Sequence, residues 1–131
     1  VELHGNLFRA RCPADDTLAS LSDGPFTGVP VCPACGGAMR PDIVWFGESL
    51  PEAAIHRAFL AAESAEVFVV VGTSAVVHPA ASLPGIAASR GAKVIEVNIE
   101  KTPVSEFAHC VIRGTAAETL PRLFSMEEGS P

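Results

Sequence analysis

Cys32-Pro33-Ala34-Cys35 is the sharpest chemical signal in this sequence. Two thiolates at that spacing can grip one tetrahedral zinc, and Gly36 and Gly37 let the turn bring backbone N–H groups to the sulfurs. Such a site needs two more donors. Cys12 supplies one, and the run Cys12-x2-Asp15-x16-Cys32-x2-Cys35 has the spacing of a two-knuckle ribbon with Asp15 in the second cysteine's position. Asp15 or Asp16 can complete the set, because zinc accepts carboxylate oxygen, although less favourably than thiolate at a structural site. A degenerate knuckle without metal is the competing reading.

Other residues carry weaker signals. His4 precedes Gly5, which permits close backbone approach, and an imidazole titrating near neutrality suits general-base work. His56, His78 and His109 lack such a neighbour, and His56 falls in an amphipathic helix. Arg40-Pro41-Asp42-Ile43-Val44-Trp45-Phe46-Gly47-Glu48 sets the only Trp beside a Phe-Gly turn and a carboxylate, either an aromatic wall for a substrate slot or a core strand with a loop. Gly72-Thr73-Ser74 offers a tight turn, backbone donors and two hydroxyls suited to phosphate or ribose, although such turns are common. Asn98 and Glu100 can hydrogen-bond ribose hydroxyls, or simply face solvent.

The elements around these residues follow from pattern. Residues 5–40 are rich in Pro, Gly, Asp and Cys without sustained periodicity, as expected of a small looped, metal-stapled module. Apolar residues recur at helical spacing behind Pro51, predicting a helix over 51–64. Val67-Phe68-Val69-Val70-Val71 and Val94-Ile95-Glu96-Val97 read as strands buried on both faces of a parallel sheet. A helix over 80–90, ended by Gly91, makes the pair a right-handed crossover unit. Cys110-Val111-Ile112 adds a third strand, with Cys110 expected in the core, and 116–124 a closing helix. The fold class is therefore α/β: residues 5–40 as a zinc-binding module, and 41–131 as part of a doubly wound, Rossmann-like parallel sheet. Ligands of such sheets sit at the carboxyl ends of the strands, where Gly72–Ser74 and Asn98–Glu100 lie.

Bulk properties bound the function. The 131 residues match one ordinary domain, with 48% hydrophobic and 18% charged residues. A net charge of -6 argues against direct nucleic-acid binding, which needs clustered Lys and Arg. No apolar run reaches a membrane-spanning length and no signal peptide opens the chain, so a cytoplasmic protein is expected. Free thiols spaced for metal agree with a reducing compartment. The chain lacks an initiator Met and opens in what reads as the middle of an element, so a longer reading frame is expected.

In this order, His4-Gly5, the Cys12/Cys32/Cys35 module, Arg40 to Glu48, Gly72 to Ser74 and the Val97-Asn98 strand end resemble the sirtuin family of NAD-dependent lysine deacylases across nearly the whole chain. Trp45 before Phe46 is more similar to the bacterial and mitochondrial branch. The resemblance implies that the acyl-lysine oxygen attacks the nicotinamide ribose of NAD, with His4 as general base, giving nicotinamide and O-acyl-ADP-ribose. It places Gly72, Thr73, Ser74, Asn98, Glu100 and the Ala116 backbone on NAD. It places Val44, Phe46, Gly47, Glu48 and His78 along the acyl-lysine peptide, by strand addition; His78 stands where the family commonly has Tyr. The family's Gly-Ala-Gly and Gln-Asn-x-Asp segments are not present, so the chain alone is expected to be weakly active or inactive. A non-catalytic zinc-containing interaction module, or an inactive fragment, is the alternative. Acyl preference, protein substrates and oligomeric state are not encoded in these motifs.

Overall fold

The computed structural model describes residues 1–21 and 28–125, arranged in two compact units, Val1–Ile55 and His56–Pro131. The parts of the expected metal module and NAD-binding half that fall on 22–27 and 126–131 lie outside the described residues. No helix among the described residues is long and apolar enough to cross a membrane.

The first unit holds a three-stranded antiparallel sheet in the order β2-β1-β3, formed by β1 (Gly5–Arg11), β2 (Leu18–Ser20) and β3 (Arg40–Ile43). β1 and β2 lie where sequence pattern indicated only loops, and β3 takes the strand alternative offered for 40–48. β1 and β3 pair across a long stretch of chain, Gly5 with Ile43 and Arg11 with Arg40, so no local alternation betrays that pairing. Residues i and i+2 share one face of a strand, so Arg9 and Arg11 present both guanidiniums to the same side. Arg9 Nε donates to Asp42 Oδ2 at 2.9 Å and Arg11 Nε to Asp42 Oδ1 at 2.9 Å. Arg9 also pairs with Glu2, and Arg11 with Asp16. On the opposite face Ala10 packs with Cys12, Cys32 and Met39 into a small core flanked by Ala19 and Leu21. Pro41, which cannot donate to a ladder, sits on the edge strand β3, where that loss is tolerated. β3 pairs with β1, and this unit runs on to Ile55.

α1 (Glu52–Ser64) starts one residue after Pro51, whose carbonyl accepts the Ala54 and Ile55 N–H groups at 2.9 and 3.0 Å. The second unit is a parallel sheet, β4 (Val67–Val71), β5 (Lys93–Asn98) and β6 (Cys110–Arg113), in the order β4-β5-β6. A 3-10 turn at Ala80–Ser82 runs into α2 (Leu83–Ser89), so the expected 80–90 helix is tighter in its first turn. Gly91 adopts φ +97°, and bonds from Gly91 N to Ala88 O (3.0 Å) and Ala92 N to Ala87 O (3.0 Å) complete a Schellman stop. Val70, Val94 and Val104 form the core, with Phe68, Ala75, Ala88 and Ala108 against it. α3 (Ala116–Phe124) is N-capped by Thr115. Together these elements are the Rossmann-like α/β arrangement the pattern implied. Cys110 corrects one expectation: it lies exposed on β6, at the edge of the described sheet, where Ile112 alone of the four strand residues is half-buried.

Burial pushes the Asp42 carboxyl up, but the hydrogen bonds from Arg11 and Arg9 outweigh it and hold the group below its ordinary value. A carboxylate depressed in the folded state contributes stability above its unfolded value near 4, and that stability is lost as pH falls through the folded value. Asp42→Asn is expected to destabilise the chain by about 1–3 kcal/mol at pH 7. In urea melts the gap between variant and wild type should shrink as pH drops below about 4; a gap constant from pH 7 to pH 3 would remove the clamp from the account.

Candidate functional site: a cysteine cluster, a His-Gly strand start and a sheet edge

The metal-ligating residues converge. Ligand atoms of Cys12, Asp15, Cys32 and Cys35 all lie within 4.8 Å of one another, with Cys12 and Cys32 buried and the other two exposed. Cys12 Sγ lies 3.5 Å from Cys35 Sγ, and Cys32 Sγ lies 3.7 and 3.6 Å from the two Asp15 oxygens. A tetrahedral zinc with ordinary bond lengths sets sulfur–sulfur edges of about 3.8 Å and sulfur–oxygen edges of about 3.6 Å, so the residues fit that ion. Asp15, not Asp16, completes the set: Asp16 turns outward to Arg11.

Two turns of the same geometry build the cluster. Cys12 N donates to Thr17 O and Asp16 N to Cys12 O, at 2.9 and 3.0 Å; Cys32 N donates to Gly37 O and Gly36 N to Cys32 O, at 2.8 and 2.9 Å. Cys12-Pro13-Ala14-Asp15-Asp16-Thr17 is thus a structural repeat of Cys32-Pro33-Ala34-Cys35-Gly36-Gly37. The fifth position is left-handed in both, Asp16 at φ +59° and Gly36 at φ +74°, and Asp is among the few side chains that tolerate it. A backbone N–H at Gly37 draws the Cys35 thiol down, yet Cys12, Cys32 and Asp15 outweigh it and push it up to about 11. Backbone donors at Cys35 and Ala34 hold Cys32 below its ordinary value, and the Thr17 N–H holds the Asp15 carboxyl well down. Crowded acidic groups of this kind are what a bound cation neutralises.

His4 is exposed and precedes β1, and its carbonyl accepts the Val44 N–H at 3.0 Å. Gly5, at φ +85°, is required: a Cβ there would lie 1.9 Å from the Asp42 carbonyl oxygen. The strand start bearing His4 is thereby drawn against the 40–48 segment. That segment leaves β3 through half-buried Val44 and turns at Trp45–Glu48, where Gly47 takes φ +88° and Glu48 N donates to Trp45 O at 3.0 Å. Phe46 at the tip is 100% exposed and Trp45 52%. The Trp45 N–H and the Arg40 guanidinium hold the Glu48 carboxyl below its usual range.

In the second unit the parallel register brings the three carboxyl ends to one edge of the sheet. Gly72, at φ +59° with open space beside its Cα, follows β4, and Thr73 and Ser74 are exposed beyond it. Buried Asn98 braces this edge: its Nδ2 donates to Thr73 O at 2.6 Å, and its main-chain oxygen accepts Gly114 N at 3.3 Å. Glu100 is exposed just past it, and Ala116 opens α3, where backbone N–H groups lack helical partners. His78 Nδ1 lies 2.9 Å from Ser82 Oγ in the loop that follows.

Sequence pattern missed the residues that hold this edge. Glu96 is wholly buried, and its carboxylate accepts from the Thr102 and Ser105 hydroxyls and, at 3.5 Å, from Arg113 Nη1. Arg113 Nη1 also donates to Glu100 O at 2.5 Å. A charged residue inside an otherwise apolar strand was the one available signal, since such a group is buried only with partners.

The Sir2 family model matches residues 1–79. An NAD-dependent protein deacylase of Thermococcus kodakarensis is 48% identical over 130 residues, covering 94% of this chain and 51% of that protein. The crystal structure of a Sir2 homologue–NAD complex superposes with a TM-score of 0.86 at 42% identity, over 95% of this chain and 49% of that one. A Sir2–p53 peptide–NAD+ structure gives 0.81 at 32% identity, over 95% and 54%. The chain spans about half the length of the curated relatives it matches. Its motifs, its fold and these matches converge on one assignment: the chain belongs to the Sir2, or sirtuin, family.

Proposed function

We propose that this chain carries the general base, the peptide-binding segment and part of the NAD site of an NAD-dependent protein lysine deacylase. The observation that carries the reading is the brace from Asn98 to Thr73, which holds the Gly72–Ser74 turn beside the Asn98–Glu100 loop at the ligand-binding edge of the sheet. NAD, when bound, supplies a ribosyl carbon that nicotinamide leaves and the acyl-lysine oxygen captures. The chain's own residues do the rest. Gly72 leaves room for backbone approach, Thr73 and Ser74 offer hydroxyls, Glu100 accepts from ribose hydroxyls, and Ala116 offers a helix-start N–H. The His4 imidazole would act as general base toward a ribose hydroxyl. We assign Val44, Phe46, Gly47 and Glu48 of the first unit, and His78 of the second, to an extended acyl-lysine peptide. The Sir2 homologue–NAD and Sir2–p53 peptide–NAD+ structures support this placement.

Cys12, Asp15, Cys32 and Cys35 would hold zinc, whose part is structural: it cross-links two knuckles in a unit with little other core. Reduced thiols as ligands favour a cytoplasmic setting. The functional units we assign are the metal module within 5–40 and an NAD-binding part within 41–131.

Half of the relatives' length is not represented in these 131 residues, and catalysis needs the cofactor held from both sides. The chain alone should therefore release little nicotinamide. Joined behind the amino-terminal half of the Thermococcus kodakarensis relative, it should release nicotinamide from NAD only with acyl-lysine peptide, and His4→Ala should lower that rate by about a hundredfold or more. Release that is indifferent to acyl-lysine or to His4 would refute the deacylase reading. For the metal, one zinc per chain is expected by competition with a chelating dye. One ligand of four carries on the order of a quarter of a metal-binding free energy of about 10–16 kcal/mol, so Asp15→Ala should weaken zinc about a hundredfold or more. Asp15→Cys should tighten it; equal affinity in all three proteins would exclude Asp15 as a ligand.

A further inference from the structure

Glu48 is exposed, acidic and next to the aromatic tip, which makes it look available to a substrate. Its oxygens are already engaged. Oε1 accepts from Arg40 Nη1 at 2.5 Å, and Oε2 accepts from Arg40 Nη2 at 2.9 Å and from Trp45 N at 3.0 Å. This is a two-pronged guanidinium–carboxylate pair, the geometry that fixes orientation as well as charge. Arg40 grips the turn at two further points: Nη2 donates to Ile43 O at 3.1 Å, and its guanidinium carbon lies 5.6 Å from the Trp45 ring centroid. Arg40 is itself fixed in β3, paired with Arg11 of β1. One side chain on the sheet thus holds the segment before, within and after the turn. Phe46 and Gly47 are presented at its tip.

Resting on the reading that Val44–Glu48 lies along the acyl-lysine peptide, we propose that Arg40 and Glu48 are positioning residues. Their clasp pre-forms the segment, and peptide contact falls to the backbone and to the Trp45 and Phe46 side chains, not to the Glu48 carboxylate. Pre-ordering of this kind acts on affinity by removing the ordering cost at binding.

Trp45 is the only Trp and the chain has no Tyr, so its emission reports this turn directly. The titrant is a peptide with one acetyl-lysine and no aromatic residue, added to the wild-type chain, Arg40→Met, Glu48→Gln and the double variant. Binding should change Trp45 emission in the wild type. Each single variant should weaken the peptide by roughly three- to tenfold, and the double variant no further, because either change opens the same clasp. Acrylamide quenching of Trp45 without peptide should rise in both single variants, while the circular dichroism stays that of the wild type. Arg40→Lys, which keeps the charge and loses the fork, should fall between wild type and Arg40→Met.

Unchanged affinity in Arg40→Met with a loss in Glu48→Gln, or losses that multiply in the double variant, would overturn the proposal and make Glu48 a direct substrate contact. Raised quenching with unchanged peptide affinity in both variants would overturn it as well. A wild-type chain whose Trp45 ignores the peptide would refute the peptide-binding reading itself, and the inference with it.

Discussion

A buried carboxylate held by two guanidiniums organises the first unit. Asp42 draws together Arg9 and Arg11 of β1, and through them Glu2 at the start of the chain and Asp16 in the first knuckle. Removing either side would leave a charge beside apolar surface without its partner, which is far costlier than the pair is stabilising. The constraint reaches the chemistry. It fixes β3 against β1, and the contact is so close at Gly5 that only hydrogen fits beside the Asp42 carbonyl. His4 and Val44, joined by a main-chain hydrogen bond, lie directly beside that close approach.

The metal cluster depends on the same frame. Its two turns are a backbone repeat, and their sequences differ at three positions, where Asp15, Asp16 and Thr17 stand against Cys35, Gly36 and Gly37. The second change is accommodated by the tolerance of Asp for left-handed backbone and by its pairing with Arg11. The first leaves a set of three sulfurs and one oxygen that keeps the spacing zinc requires. Because Cys12 and Cys32 are themselves core residues with Ala10 and Met39, the unit joins its hydrophobic packing and its metal site in one place.

In the second unit the edge at the carboxyl ends of the strands is organised by groups behind it. Buried Glu96 holds the Thr102–Ser105 turn and Arg113, and Arg113 in turn holds the Glu100 carbonyl. Asn98 faces inward and ties the end of β5 to the Thr73 carbonyl, beside the exposed Thr73, Ser74 and Glu100 side chains. A polar network inside a parallel sheet is stable only when each member is satisfied, and no buried side-chain nitrogen or oxygen among the described residues lacks a partner.

The sequence alone determined the parts whose signals are local: the helix behind Pro51, the β-branched strands, the glycine stop at Gly91, the Cys-x-x-Cys pair and the strand-end turns. Each arises from neighbours within a few residues, through periodicity, backbone permissiveness or ligand spacing. Tertiary structure decided what depends on partners far along the chain. β1 and β3 exist because Arg9 and Arg11 meet Asp42 more than 30 residues away, so no alternation announced them. The choice of Asp15 over Asp16 rested on which carboxylate the first knuckle turns toward the sulfurs. Cys110, apolar in context, came to lie exposed because β6 is an edge of the described sheet. Glu48, which the sequence offers only as a carboxylate beside an aromatic turn, is clasped by Arg40 because the turn folds back over its own strand. Local propensity names candidate residues; long-range pairing decides which of them face a ligand and which hold those that do.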